Sequence, residues 1–404
     1  MTTESGHFSE AALMARPTAE LSRLGSRSLL LGALGLGLTA IGFVSARETF
    51  LQSYLIAFIF WMGLTVGPLG VLMIHHLSGG AWGMAGRRIW EAATRNLPLM
   101  MLLFIPIAIN LPTLYVWARP EAASDPIIHD KAIYLNVRFF LVRAAIFFAI
   151  WSALAFILNK WSGEQDRQPA MLPGPLDRRS RLVSGPGLAL FVLTVTFMAV
   201  DWVMSLDPHW YSTIFGILML GGQGLSTMAF TIVVLASLVK FEPMATVADA
   251  EKIHDISKLM FAFVLLWAYF SVSQLIIIWS ANLPEEIPFY LERLHGAWAP
   301  VSIALLLLQF VLPFMLLLSR GLKRNPARVK WIALLILFMR VVDITWTIGP
   351  VFRHEGSSIH PLDFAVVLGM GGLWLPLFWR NLAQRSLVPA RDPYFKEALS
   401  HGGH

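Results

Sequence analysis

The chain has 404 residues, of which 56% are hydrophobic and only 14% charged, whereas a soluble protein carries about a quarter charged residues. The formal charge is +6, but no basic tract alternates with aromatic residues, so the pattern does not indicate nucleic-acid binding. The sequence contains no cysteine, which excludes thiolate-bound iron–sulfur clusters, covalently attached c-type haem and disulfides within this chain.

The apolar runs predict ten membrane-spanning helices, each long enough to cross a hydrocarbon core of about 30 Å. The predicted spans, in chain order, are 28–46, 50–77, 97–117, 135–158, 185–205, 213–239, 257–280, 297–319, 329–351 and 361–380. The first run is longer than the apolar core of a signal peptide, so we expect a retained helix. The sequence therefore predicts an all-α, polytopic membrane protein with a polar N-terminal segment (1–27), a transmembrane domain (28–380) and a C-terminal tail (381–404).

Basic residues alternate between the predicted loops and predict the orientation of the chain. The termini and loops on the N-terminal side of the membrane hold 22 Lys and Arg residues, and the loops on the opposite side hold 5. Because Lys and Arg accumulate in cytoplasmic loops, we expect both termini in the cytoplasm. An error of one helix would destroy this alternation, so the charge distribution also supports ten spans.

Ionisable side chains inside the predicted spans are few, and such residues are candidates for function because a bilayer solvates them poorly. Arg340 and Asp343 lie three residues apart in the ninth predicted helix and share a face, which predicts a pair. Arg143 in the fourth helix and Asp201 in the fifth fall at comparable depth. These two are predicted to meet if their helices are neighbours.

Other polar residues extend this candidate site. Asp207 and His209 follow the fifth helix in a short outer turn, and His75 and His76 end the second helix at the predicted cytoplasmic face, where imidazoles titrate near neutral pH. Three polar side chains are predicted to line the same region: Asn110, Gln274 and Gln309. Two interpretations are open: the charges are neutralised pairs that fix how the helices pack, or the whole set lines a hydrated cavity that relays protons.

The sequence shows no sign of a cofactor site. A b-type haem would require two histidines deep in separate helices, and the histidines here lie in predicted loops or at helix ends. No Walker loop, dinucleotide fingerprint or metal-ligand motif is present. We therefore expect no catalytic residue, cofactor or metal in this chain, and the residues alone leave a transporter, a channel or a membrane subunit of a larger complex.

Two stretches resemble a known family. They are MAVDWVMSLDPHWYSTIFG at 198–216 and FSVSQLIIIWSANLPEE at 270–286. Both are similar to the F subunit of bacterial alternative complex III, a quinol:electron-acceptor oxidoreductase, and this subunit belongs to the polysulfide-reductase-like (NrfD-like) membrane family. The resemblance covers essentially the whole chain in length and helix count. The motif positions shared with that family are Asp201, Asp207, His209, Gln274, Asn282, Glu285 and Glu286.

The resemblance implies two four-helix bundles, formed by helices two to five and six to nine, with helices one and ten peripheral. It also implies a bacterial cytoplasmic membrane and partners that carry the redox groups: a quinol-binding membrane subunit, an iron–sulfur subunit, haem c subunits and a terminal oxidase. Lipids surround the chain. The implied role is a non-catalytic subunit that scaffolds the complex and contributes a proton-translocation path; the alternatives are a proton-coupled secondary transporter and a purely structural membrane anchor.

Overall fold

The computed structural model describes residues 18–167, 175–353 and 359–395, which contain helices and no strand. The helices of membrane-spanning size and the two parts of one broken span are named in chain order: α1 (Thr18–Ser45), α2 (Arg47–Ser78), α3 (Arg87–Thr94), α4 (Leu97–Ile109), α5 (Val137–Gln165), α6 (Pro175–Trp202), α7 (Phe215–Leu238), α8 (Ala250–Ala281), α9 (Gly296–Leu318), α10 (Pro326–Phe352) and α11 (Pro361–Ala383). Short helices lie between them, at Leu111–Leu114, Pro126–Lys131, Met244–Val247, Pro288–Leu294 and Arg320–Lys323.

Nine helices in the described ranges are long and apolar enough to cross a membrane, and the bent pair α3–α4 adds a tenth. The protein is thus an all-α polytopic membrane protein of about ten spans, which confirms the predicted fold class. Five helices, α2, α7, α9, α10 and α11, begin and end within three residues of the predicted bounds. Helices α1 and α6 begin ten residues earlier than predicted, α8 begins seven residues earlier, and α5 ends seven residues later. Helix α3 lies outside every predicted span, and α4 ends eight residues early.

The third span is broken. Helix α3 carries Arg87, Arg88 and Glu91 and was predicted as loop, yet each of its eight residues is buried. It meets α4 at an angle of 41°. At the break, the Asn96 amide donates to the Trp374 carbonyl of α11 at 2.9 Å. Hydropathy does not distinguish a charged helix that other parts of the chain bury from a charged loop. The predicted span therefore begins at the apolar residues of α4.

Neighbouring spans form two groups of four. Helix α2, the broken span, α5 and α6 contact one another in sequence, and α6 returns to α2; helices α7 to α10 form a second group, in which α7 packs against both α8 and α10. Helix α2 also contacts α7, α10 and α11, and its apolar stretch is wholly buried. The two groups therefore meet along α2 and α7.

Helices α1 and α11 pack closely through glycine. A Cβ atom on Gly32 would lie 2.0 Å from the Gly372 Cα, and one on Gly35 would lie 2.4 Å from the Gly369 nitrogen. Small residues let helix backbones approach in a bilayer, where van der Waals packing has to replace the hydrophobic effect. Helix α1 is largely exposed, while α11 lies between α1 and α2.

We expect Gly32→Leu to separate α1 from α11, because the new side chain would occupy the position of the α11 backbone. Overpacking of this kind costs about 1–3 kcal/mol and should lower the melting temperature of the purified chain in detergent, followed by tryptophan fluorescence. Gly37→Leu on the same helix is the matched control, since no atom lies within 4 Å of a Cβ at Gly37. Equal melting temperatures for the two variants would show that the contact does not stabilise the chain.

Candidate functional site

The structure brings Arg143 of α5 and Asp201 of α6 together, as their predicted depths suggested. The guanidinium donates twice to the carboxylate, from Nε to Oδ2 at 2.7 Å and from Nη2 to Oδ1 at 3.0 Å. It also lies 3.8 Å from the Tyr134 ring centroid and donates to the Tyr134 carbonyl at 3.0 Å. Asp201 is fully buried. This geometry is the strong, two-pronged form of an arginine–carboxylate pair, and it ties α5 to α6.

The second predicted pair, Arg340 and Asp343, lies inside the other helix group. The Arg340 Nη1 contacts the Asp343 Oδ2, and the Trp267 Nε1 of α8 donates to the same oxygen at 3.0 Å. Gln309 of α9 completes the cluster: its amide nitrogen donates to the Met339 carbonyl at 2.9 Å and its oxygen accepts from Trp267 at 3.1 Å. The carboxylate thus connects α8 to α10, and Trp267 connects it in turn to Gln309 of α9.

Two backbone features make room for this cluster. A Cβ at Gly222 of α7 would lie 2.1 Å from the Arg340 Nη2, so glycine allows the guanidinium to reach the α7 backbone. Helix α9 is π-helical over Leu305–Val311, and Gln309 in this segment is fully buried. Single π-helical turns often occur at functional sites. The Arg340 Nε has no hydrogen-bond partner among the described residues.

A partly exposed group forms on the predicted outer side. The His209 Nε2 lies 2.8 Å from the Asp125 Oδ2, and the His209 Nδ1 lies 3.9 Å from the Asp207 Oδ1. Desolvation acts to raise the pKa of Asp125, but hydrogen bonds from His209 and two backbone amides outweigh it and hold that pKa below its usual value. His209 thus lies between two carboxylates in a partly exposed position.

The three polar residues predicted to line one cavity occupy separate places. Gln309 belongs to the Asp343 cluster. Gln274 is buried, accepts from the Ser212 hydroxyl at 3.2 Å and donates to the Tyr290 hydroxyl at 3.3 Å. Burial raises the pKa of Tyr290 to about 12, so this phenol remains neutral.

Asn110 follows α4 and makes its own contacts. It donates to the Pro106 carbonyl at 2.8 Å and accepts from Arg47 at 3.4 Å. Its contacts thus place it at the junction of α4 and α2, apart from the other two amides.

His75 and His76 lie near the end of α2, as predicted, but their rings are covered. The His75 ring centroid lies 5.2 Å from the Trp82 ring centroid and 6.0 Å from that of Trp90. A Cβ on Gly83 would lie 2.4 Å from the His75 Nδ1. His75 Nδ1 and His76 Nε2 are buried without a hydrogen-bond partner in the described part of the chain. Their proposed proton uptake stays a prediction.

A network of buried charges, which the sequence did not predict, lies at the end of the molecule that carries α3. Glu91 accepts from Arg87 Nε at 2.9 Å, from Arg88 Nη1 at 2.7 Å and from the Ser162 hydroxyl of α5 at 2.7 Å. Two further carboxylates contact the arginines, Asp166 on Arg88 and Asp392 on Arg87. The arginines had been counted as loop charges, although their spacing to Glu91 is that of paired residues on one helix face.

Two other cations, the buried Arg293 and the partly buried Arg353, lie in stretches predicted as loops. Arg353 donates to both oxygens of Asp363 at 2.7 and 2.8 Å, and Ser53 of α2 donates to Asp363 at 2.6 Å. Arg293 donates to the backbone carbonyls of Phe289, Trp346 and Thr347 at 2.7–3.1 Å. Burial lowers the pKa of Arg293 to about 9. The sequence carries no spacing signal for either contact, because the partners are distant or are backbone atoms.

No protein-family model matches the chain, and no curated protein matches it at a significant level.

The described residues contain no group of three or more His, Asp or Glu side chains arranged to hold a metal ion. The buried clusters instead consist of carboxylates paired with arginines. Asp201 and Asp343 each accept from an arginine and lie among helices that belong to different bundles. The Arg143–Asp201 pair ties two helices together, whereas Arg340 and Asp343 lie on one helix. In either pair the carboxylate becomes a proton acceptor if the guanidinium moves away, because an unpaired buried charge costs several kcal/mol.

We expect Arg143→Gln to destabilise the chain more than the double variant Arg143→Gln/Asp201→Asn. The single change leaves a fully buried carboxylate unpaired, at a cost of about 3–5 kcal/mol, whereas the double change leaves no charge. A double-mutant cycle on unfolding in detergent measures the coupling. The exposed pair Lys258–Asp255, with an N–O distance of 3.0 Å, is the control and should couple by at most about 1 kcal/mol. Similar coupling for both pairs would contradict the importance given to burial.

Proposed function

We propose that this chain is a non-catalytic membrane subunit of a bacterial quinol-oxidising respiratory complex, located in the cytoplasmic membrane with both termini in the cytoplasm. In this proposal it scaffolds a quinol-binding subunit and partners that carry haem c and iron–sulfur clusters. The two sequence stretches at 198–216 and 270–286 support this assignment through their resemblance to the F subunit of alternative complex III. The ten-span fold and the 22-to-5 distribution of basic residues are consistent with it.

We further infer that the subunit carries protons. The observation that supports this most is the cluster of Asp343 with Arg340, Trp267 and Gln309, which joins three helices around one buried carboxylate. A movement of α8 relative to α10 alters the hydrogen bond from Trp267 to this carboxylate, and a movement of α9 alters the contact of Gln309 with Trp267. Redox-driven movement in a neighbouring subunit would then change whether the carboxylate holds a proton.

The proposed path has an entrance and a second buried acid. On the outer side, His209 with Asp125 and Asp207 offers groups in contact with water. Asp201 lies six residues before Asp207 in the same chain segment and is paired with Arg143. These groups supply proton-holding sites at two depths, with water molecules required between them.

The contrasting function is a stand-alone secondary transporter, whose substrate site would lie near the membrane midplane between discontinuous helices. The cavity where the two helix groups meet has a volume of about 240 Å³ and is lined by apolar side chains with Gln223 among them. A polar cavity of about 600 Å³ lies instead at one end of the molecule, near Glu48 and Arg119. This distribution favours a subunit over a solute carrier.

We expect Asp343→Asn to reduce proton translocation by the assembled complex more than electron transfer, since the amide keeps the shape but does not carry an exchangeable charge. The measurement compares proton release with quinol oxidation in membrane vesicles. Asp363→Asn is the matched control, because Asp363 is equally buried and paired with Arg353 but lies outside the proposed path.

Equal loss of both activities in Asp343→Asn, or loss of assembly alone, would contradict the proton role and leave a structural anchor. A similar uncoupling in Asp363→Asn would also contradict it, because any buried carboxylate would then have the same effect.

A further inference from the structure

A cavity of about 550 Å³ opens between the α3–α4 junction and α5, at the end of the molecule that holds the basic network. Its two ends differ in chemistry. One end is lined by Arg95, Lys160 and Arg385, and the other by apolar side chains of α4 and α5, namely Leu97, Pro98 and Phe156. Phe156 is 68% exposed, so the apolar end is continuous with the lipid-facing surface of α5.

The cationic end is not neutralised by the protein. Among the described residues no carboxylate lies within ion-pair distance of Arg95 or Lys160: Arg95 binds the side chain of Gln384 and donates to the Asn381 carbonyl at 3.2 Å. Arg385 lies 3.6 Å from Glu91. That carboxylate already binds two arginines, so the mouth of the cavity has a surplus of positive charge.

Two buried polar atoms that no described residue satisfies lie in the wall of the cavity. The Asn159 amide nitrogen donates to the Thr94 hydroxyl at 3.0 Å, but its oxygen is buried without a partner among the described residues, and the residue is only 6% exposed. The Ser152 hydroxyl, about 10 Å deeper along α5, likewise has no partner in the described part of the chain. Unsatisfied buried polar atoms are uncommon and call for a ligand or water.

We propose that this cavity binds an anionic phospholipid. The phosphate lies against Arg95, Lys160 and Arg385, and a headgroup hydroxyl donates to the Asn159 amide oxygen. The Ser152 hydroxyl donates to an ester oxygen of the glycerol, and an acyl chain follows Phe156 into the bilayer. Basic pockets between membrane helices on the cytoplasmic side bind anionic headgroups. A soluble phosphate would use the cationic end but would leave the apolar half of the cavity without an occupant.

The cations of this cavity also connect separate parts of the chain. Arg385 donates to the Asn159 carbonyl at 2.9 Å, and Arg95 contacts Gln384. A lipid phosphate here therefore joins the α3–α4 junction and α5 to the segment after α11. The inference is independent of the proposed respiratory role, because it depends only on the cavity and its charges.

The test uses the full chain, purified in detergent, freed of lipid and titrated with phosphatidylglycerol or phosphatidylcholine under native mass spectrometry. We expect phosphatidylglycerol to bind at least about tenfold more tightly, and Arg95→Gln/Lys160→Gln to weaken its binding by about fivefold per cation removed. The control Arg178→Gln/Arg179→Gln removes the same charge from exposed residues at the same end and should leave the affinity unchanged.

Lys160→Gln alone is the second variant, because Lys160 is exposed and its replacement should leave folding intact; it should lose about fivefold. Equal affinity for the two lipids, or equal weakening in the control, would overturn the proposal. Displacement of the phospholipid by millimolar inorganic phosphate would overturn it as well, since the site would then be specific for a free anion.

Discussion

A charge inside a bilayer has no water to solvate it, and this constraint organises the protein. Four buried carboxylates, Glu91, Asp201, Asp343 and Asp363, each contact an arginine. Two of these contacts, those of Asp201 and Asp363, connect different helices or segments, so these two charges determine which elements can be neighbours. A span placed one position away would leave a carboxylate and a guanidinium unpaired, at a cost of several kcal/mol for each.

Once the charged pairs set which helices are neighbours, apolar side chains and glycines determine how closely these helices pack. Lipid is as apolar as leucine, so helices gain little from burying leucine against leucine. The close α1–α11 contact therefore uses Gly32 and Gly372, and Gly222 lets Arg340 approach α7. The same constraint links structure to function, because a paired charge responds to helix movement whereas an apolar contact transfers no proton. The Asp343 cluster joins three helices, and in the proposed function it is the place where helix movement would change protonation.

The sequence was sufficient for the features that depend on hydropathy and on local spacing. The ten spans follow from apolar runs, and Arg340 and Asp343 are three residues apart. The contact of Arg143 with Asp201 followed from similar depth in consecutive helices. Helix α3 was not predicted because its charges are neutralised by residues far away in the chain, such as Asp392, and composition alone cannot distinguish this from a solvated loop.

The sequence also did not predict which contacts the single polar side chains make. Asn110, Gln274 and Gln309 were grouped by residue type and depth, whereas their contacts depend on the rotation of each helix. A π-helical segment in α9 changes that rotation by an amount that no spacing rule supplies. Arg293 is held by backbone carbonyls, which every sequence contains. The sequence likewise does not show that the Asn159 amide oxygen is buried without a hydrogen-bond partner among the described residues, because this depends on how its neighbours pack.

Whether the chain works inside a redox complex is tested by purifying the tagged chain from bacterial membranes in mild detergent, with mass spectrometry and a visible absorption spectrum. We expect co-purified subunits that carry c-type haem and iron–sulfur clusters, and therefore a coloured preparation, although this chain has no cysteine to hold either group. A colourless, solitary and stable chain would rule out the proposed subunit role and make a stand-alone transporter the leading explanation.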